Sequence, residues 1–506
     1  MAPMEPATAK LTSCDLLPSH TGLTRARSRV ASGVTSTAAG MLNPAAMRWF
    51  TLAVASLLLS GLFAVFLVVG RIPIISEWIA DPAFFRRCLV LHVNLSLLVW
   101  FTAFTAALYS LLPTAVRPRL QAGGFALAAL GTIAMALATF IRGTEPVLSN
   151  YIPFIDHPVF TSGVALFLSG VAMLYAGSGI SRSRTVSTRS VLPPESAIAI
   201  QAAAAAFLVA CVTFVISWWT TPRGIAAASY YELIAWGGGH VLQIANVSAM
   251  AALWFLLLRA IDNRPVLGPR ITFALFLVLL FPYLSGPILA ASGTDNMQYY
   301  RGFTRLMQFG IFPVITVFLC AGVAHLVRAR RDGILDRFTL RDFRLAGFTA
   351  SVIMTVCGFA LGAMIRGSTT LVPAHYHASI GAVTVAFMAA AYLLLGPRPQ
   401  WNASALRRRL PSVQIMLFGG GQLLFALGFA ISGFLGLGRK IYAGDQVVHA
   451  FGEYAGLLAM GLGGGIAVTG GILFLWLIVS AILAGAPPLR NQTSFSQQFR
   501  SSDPNH

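Results

Sequence analysis

The sequence predicts an all-α, polytopic membrane protein with twelve transmembrane helices and both termini in the cytoplasm. Of its 506 residues, 57% are hydrophobic and only 10% are charged, whereas a soluble domain is about 25% charged. A soluble chain of this composition would lack the polar surface it needs. The composition therefore excludes a soluble enzyme and a disordered protein.

The chain divides into a tail, a membrane domain and a second tail. Residues 1–46 are rich in Ser, Thr and Ala and contain no apolar run, which predicts a disordered segment. Residues 47–484 form the membrane domain, and residues 485–506 form a polar C-terminal tail.

Twelve apolar runs fill the membrane domain, each long enough to cross about 30 Å of hydrocarbon with about 20 helical residues. Because backbone groups cannot stay unpaired in lipid, runs of this length are predicted to be helices. The predicted helices, numbered 1 to 12, span 47–70, 88–112, 120–141, 158–180, 195–219, 230–258, 271–292, 303–327, 345–365, 372–395, 411–437 and 455–484.

In a soluble protein, the net charge of +19 would suggest a nucleic-acid partner. Here it is explained by the basic residues that collect on one side of the membrane. Of the 35 Lys and Arg residues, 25 lie in the two tails, at the cytoplasmic start of helix 1 (Arg48) and in the loops after even-numbered helices. The positive-inside rule places these segments in the cytoplasm. We therefore expect no nucleic-acid partner, and a multi-pass protein surrounded by the lipid of a bacterial inner membrane.

Four histidines are predicted to lie inside the bundle: His92, His240, His375 and His377. The predicted topology puts all four between the outer face and the middle of the membrane. Ionisable groups inside membrane helices are costly and usually functional, and histidine ligates heme iron and copper. Hydrogen-bonded packing residues are the alternative interpretation.

The spacing of His375 and His377 carries the most information. Residues two positions apart on a helix are separated by about 200° of rotation, so the two rings should leave opposite sides of helix 10. They cannot share one metal, but each can ligate a separate heme. If His92 faces His377, this pair completes a six-coordinate, low-spin heme, and His375 holds a five-coordinate heme with an open face.

Three segments, residues 92–100, 232–243 and 375–384, together with the order of the histidines, resemble subunit I of the heme-copper oxidase superfamily. The resemblance covers residues 47–484 and includes the twelve-helix topology. It implies that His92 and His377 bind a low-spin heme and that His375 is the axial ligand of a high-spin heme. It also implies that His240 ligates a second metal, which is copper in oxidases and non-heme iron in nitric oxide reductases.

Arg439, Lys440 and Tyr442 follow helix 11 on the predicted outer side and resemble the basic pair that binds heme propionates in this superfamily. Propionates are anionic, and Arg forms bidentate, charge-assisted bonds with carboxylates. Ordinary interfacial anchors are the alternative.

The sequence departs from the superfamily in helix 7. Superfamily members carry two adjacent histidines there that complete the second-metal site, whereas residues 271–292 contain no histidine. With His240 alone, the second-metal site lacks the usual three or so protein ligands. Whether it holds copper, non-heme iron or no metal is therefore left open by the sequence. Glu232, two turns before His240, is expected to deliver protons from outside or to add a ligand. A hydrogen bond to Tyr230 or Tyr231 is its alternative role.

The resemblance implies a terminal oxidoreductase of the cytochrome c oxidase type, in which electrons pass from the low-spin to the high-spin heme and reduce a gas, oxygen first. The chain has no CxxCH motif for covalent heme and no soluble copper domain. A cytochrome c or cupredoxin-type donor and a separate donor subunit are therefore expected. The alternatives are a nitric oxide reductase-like enzyme, a non-catalytic di-heme sensor or conduit, and a proton-relaying transporter.

Overall fold

The computed structural model describes residues 41–69, 81, 83–113, 115–179, 191–335, 341–398, 401, 404–439 and 451–485. In this part of the chain, twelve helices are long and apolar enough to cross a membrane. The prediction of an all-α, twelve-helix membrane protein is thus confirmed. Most of the two predicted tails lies outside the described residues, and the cytoplasmic orientation of the termini stays a prediction.

Most helices begin and end within a few residues of the predicted bounds, and the largest differences are the earlier starts of the eighth and eleventh. In chain order they are α1 (Pro44–Val69), α2 (Phe84–Tyr109), α3 (Pro118–Ala138), α4 (Pro158–Ala176), α5 (Pro194–Thr220), α6 (Ala227–Asp262), α7 (Pro269–Ala291), α8 (Met297–Arg331), α9 (Phe343–Met364), α10 (Leu371–Leu395), α11 (Ala405–Phe434) and α12 (Phe451–Leu483). Within the described ranges, four short strands pair as two antiparallel ribbons: β1 (Ala115–Val116) with β4 (Ser178–Gly179), and β2 (Glu145–Val147) with β3 (Phe154–Asp156).

Three helices are irregular in the described part of the chain, and one of them, α8, is interrupted at Ile311 between Gly310 and Phe312. In α2, a π-helical stretch over Asn94–Val99 begins two residues after His92, and π-turns inside α-helices are frequent at functional sites. In α7, Phe281–Ser285 forms a 3₁₀ turn that includes Pro282, whose nitrogen cannot donate a helical hydrogen bond.

The helices α6 and α10 form the centre of the bundle. In their most apolar stretches 89% and 83% of the residues are buried, against 28% in α3 and α7. These two central helices carry His240, His375 and His377. Of the predicted ligands, His240 is buried, whereas His375 and His377 on α10 and His92 on α2 are partly buried.

Glycines bring α11 and α12 into direct backbone contact. A Cβ added at any of them would lie within 2.8 Å of a backbone atom of the facing helix. They recur every seven residues on both helices, which keeps them in one seam, and small residues at such seams let membrane helices pack closely. The glycines are Gly421 and Gly428 on α11, and Gly456, Gly463 and Gly470 on α12.

At the C-terminal end of α6, buried ionisable side chains lie close to partners on neighbouring helices. Asp262 lies 2.8 Å from Nε2 of His325, and both side chains are almost fully buried. Arg259 lies 3.4 Å from the buried carboxylate of Glu195. Because an unpaired buried charge is strongly destabilising, these pairs fasten α6 to α8 and to α5.

We expect Gly463→Val to destabilise the bundle because its side chain would meet the backbone of α11. Overpacking of this kind costs about 1–3 kcal/mol, and thermal unfolding in detergent would show a lower midpoint. Gly465→Val is the matched control, since a Cβ at Gly465 meets nothing within 4 Å. Equal midpoints for the two variants would contradict the proposed seam.

Candidate functional site

His92 is held against α1 by a serine. Its Nδ1 lies 2.9 Å from the carbonyl oxygen of Ser60 and 2.9 Å from the Ser60 hydroxyl. The same hydroxyl donates to the carbonyl of His92 at 3.0 Å. An imidazole that donates its Nδ1 hydrogen to a carbonyl keeps a lone pair on Nε2, the arrangement typical of metal-bound histidines.

His375 is held in the same way by α9. Its Nδ1 lies 2.7 Å from the carbonyl oxygen of Gly358. One turn later, a Cβ at Gly362 would approach ring atoms of His375 to 2.8 Å. Glycine is thus required at position 362 if this ring is to lie flat against α9.

His377 points toward a different neighbour. Its ring packs edge-on against Phe425 at 4.7 Å and parallel to Phe429 at 5.7 Å, both on α11. Its nitrogens make no hydrogen bond within the residues that the structure describes, and the ring lies within electrostatic range of His92. The two α10 histidines therefore face different helices, as their spacing predicts.

His240 has both ring nitrogens engaged. Nδ1 lies 2.6 Å from the carbonyl oxygen of Trp236, one turn earlier on α6. Nε2 lies 2.9 Å from the hydroxyl of Tyr151. The ring is 3% exposed, so no bulk water competes for either bond.

Tyr151 comes from the loop that joins β2 to β3. Its backbone has φ +65°, a left-handed conformation that is uncommon for a bulky residue and is retained only when surrounding contacts impose it. Burial, together with the nearby charge of Glu232, raises the pKa of Tyr151 well above its ordinary value. Tyr151 therefore stays neutral and can donate to His240.

Glu232 anchors this loop. Its carboxylate accepts from the backbone nitrogen of Asn150 at 2.8 Å and from the Asn150 side-chain amide at 2.5 Å. The alternative prediction, a bond to Tyr230 or Tyr231, is wrong. Tyr231 instead donates to Asp156 at 2.7 Å, and the Tyr230 hydroxyl accepts from an arginine.

Three consecutive glycines, Gly237–Gly239, make room for aromatic rings around His240. A Cβ at the three positions would come within 2.7 Å of Tyr299, 2.4 Å of Phe214 and 2.4 Å of Tyr151, respectively. The glycine run thus allows side chains to pack closely against α6, and it does not form a turn.

A second metal does not fit the donors around His240. No cluster of three or more His, Cys, Asp or Glu side chains occurs among the described residues. Tyr283, which stands in the irregular part of α7, donates its hydroxyl to the carbonyl of Leu306 at 2.7 Å. Heme fits better, because among the described residues Nε2 of His92 and of His375 has no hydrogen-bond partner, and neither ring nitrogen of His377 has one.

Arg439 lies beside the start of α10. Its Nε donates to the Ser368 hydroxyl at 2.9 Å and its backbone nitrogen to the Ser368 carbonyl at 3.1 Å. This contact holds the guanidinium beside Ser368, which lies about two helical turns before His375 in the sequence. Lys440 and Tyr442, predicted to act with Arg439, lie outside the described residues.

Sequence reasoning missed the side chains that position the histidines, namely Ser60, Asn150 and Tyr151. The glycine run before His240 could have given a signal, since consecutive glycines inside a helix are typical of close approach by other groups. Nothing in the sequence marks Tyr151 as the residue that makes that approach.

The family described as cytochrome c and quinol oxidase polypeptide I matches residues 44–467. The chain belongs to this family. Membership in the cytochrome c and quinol oxidase polypeptide I family supports an oxidoreductase role in respiratory electron transport. The family implies hemes and usually copper, of which the residues present fit the hemes.

Relatives span most of the chain. An uncharacterized protein, RP382, of Rickettsia prowazekii (strain Madrid E) is 25% identical over 86% of this chain and 95% of its own length. An uncharacterized protein of Aquifex aeolicus (strain VF5) is 29% identical over 69% of this chain and 84% of its own. A cryo-EM structure of a heme-copper terminal oxidase dimer shares the fold with a TM-score of 0.65, at 16% identity over 89% of this chain and 85% of that one.

We expect Gly239→Ala to displace Tyr151, because the new Cβ would lie 2.4 Å from its ring. The variant should lose about 1–3 kcal/mol of stability, seen as a lower unfolding midpoint. Gly420→Ala is the control, as a Cβ there meets nothing within 4 Å and the gain in helix propensity is the same. If both variants unfold together, Tyr151 does not pack on Gly239 as described.

Proposed function

We propose that this protein is the heme-bearing catalytic subunit of a terminal oxidoreductase that reduces a gas, oxygen in the first instance. His92 and His377 would hold a low-spin heme and His375 a high-spin heme, and these hemes would supply one-electron transfer from an outer-side donor to the gas. The observation that carries this proposal is the divergence of the two α10 histidines, His375 toward α9 and His377 toward α11, with His92 within electrostatic range of His377.

Main-chain carbonyls orient the proposed ligands. Ser60 and Gly358 accept from the Nδ1 atoms of His92 and His375, which fixes each ring and directs Nε2 away from its own hydrogen-bond partner. Such a bond also raises the basicity of the ligating nitrogen. When bound, the hemes supply one-electron transfer and an iron site for the gas.

The outer end of α10 is proposed to hold the heme propionates through Arg439, Lys440 and Tyr442. The bond between Arg439 and Ser368 supports this by keeping the guanidinium beside the helix that carries both ligands. His240 and Glu232 are proposed to line the gas site from α6. Electrons are proposed to come from a cytochrome c or cupredoxin-type protein through a separate subunit.

A second candidate function is a non-catalytic di-heme protein, either a gas sensor or an electron conduit. The engagement of both His240 nitrogens by Trp236 and Tyr151 favours it, because the usual second metal would then be missing. A nitric oxide reductase-like enzyme normally needs that metal too, so this observation does not favour it over the oxidase.

Purified protein should contain two hemes per chain, one of which binds CO when reduced. We expect His92→Ala or His377→Ala to abolish the low-spin absorption signal and to leave CO binding. We expect His375→Ala to abolish CO binding, because each variant removes an iron ligand.

His157→Asn is the control for these variants. His157 caps α4 through its side chain, and Asn is also a good N-cap, so both heme signals should survive. Unchanged CO binding in His375→Ala would refute the ligand assignment, and a heme-free protein would refute the proposed function.

A further inference from the structure

We infer that His240 carries no metal in this protein and that the hydroxyl of Tyr151 takes the metal's place on its Nε2. The inference rests on the proposed function only in locating this pair at the second-metal position of an oxidase-type site. The pairing itself follows from contacts within the chain.

The two bonds of His240 leave no site for a metal on its ring. Because Nδ1 faces the Trp236 carbonyl at 2.6 Å, it must carry the hydrogen, and Nε2 then holds the only lone pair. Tyr151 donates to that lone pair at 2.9 Å. A metal would need the same lone pair at about 2.0–2.1 Å, so the ring can serve one partner but not both.

The position of Tyr151 is imposed by several independent contacts. Both carboxylate oxygens of Glu232 hold Asn150 next to it, and the ring fits where Gly239 has no side chain. The ring centroid lies 4.7 Å from that of His240 and 6.2 Å from that of Trp236. A left-handed φ at a tyrosine survives only under such combined constraint. Glu232 is thus a positioning residue for Tyr151.

Neighbouring oxygen donors are also committed elsewhere. The Glu232 carboxylate accepts two bonds from Asn150, and the Tyr283 hydroxyl donates to Leu306. Together with the missing α7 histidines, this leaves His240 as a single nitrogen without the two or more companions that a tight copper or iron site requires. The metal content of the chain should then be heme iron alone.

The first test is the metal stoichiometry of the full-length protein, purified from cells supplied with copper and iron. We expect total iron to equal heme iron and copper to be well below one ion per chain. About one copper or non-heme iron per chain, lost in His240→Ala, would overturn the inference. Absence of heme would count against the proposed function instead, since non-heme metal is measured separately.

The second test is a double-mutant cycle on the unfolding midpoint. Tyr151→Phe keeps the ring and removes the hydroxyl, so it should lower the midpoint by about 1–2 °C. In a His240→Leu background this shift should largely disappear, because coupled residues are not additive. Tyr300→Phe, whose ring packs on Trp236 at 5.3 Å, is the control and should shift both backgrounds equally.

Additive effects of Tyr151→Phe and His240→Leu would show that the two side chains are not paired, and would overturn the inference even if no metal were found. Coupling accompanied by a metal that Tyr151→Phe removes would show that the two residues share an ion, which would overturn it as well.

Discussion

Hydrogen bonds from imidazole Nδ1 to main-chain carbonyl oxygens decide what the buried histidines can do. His92, His240 and His375 each make one, to Ser60, Trp236 and Gly358. Inside a membrane bundle a polar ring without such a partner is costly. Each bond fixes the ring and its tautomer, and so directs a basic Nε2 to one defined place. The chemistry of the site then depends on what meets that nitrogen.

The histidines differ in this respect. The Nε2 atoms of His92 and His375 are free of protein partners among the described residues, which suits ligation of heme iron. That of His240 meets the hydroxyl of Tyr151. The position that holds a metal in related oxidases is thus proposed to be closed by the protein itself, through a loop anchored on Glu232. The family relationship shows in the helix bundle, and the proposal extends it to the heme ligands but not to the second metal.

The fold could be predicted from the sequence because the bilayer restricts which segments can cross it. Runs of about 20 apolar residues predicted all twelve helices, and the HxH spacing predicted that His375 and His377 face different helices. The irregular turns were not predictable, since the π-helical turn after His92 and the 3₁₀ turn at Pro282 depend on tertiary packing. Tyr151 was missed because it lies 89 positions from His240 in a short loop without an apolar or helical pattern. Glu232 was recognised as unusual, but its partner Asn150 could only be seen in the structure.

Electron paramagnetic resonance of the oxidised protein, quantified per chain, tests the central claim most directly. The account predicts one low-spin signal typical of bis-imidazole ligation, from His92 and His377, and one high-spin signal from a heme on His375. A single heme per chain, or two low-spin hemes with no high-spin signal, would contradict it.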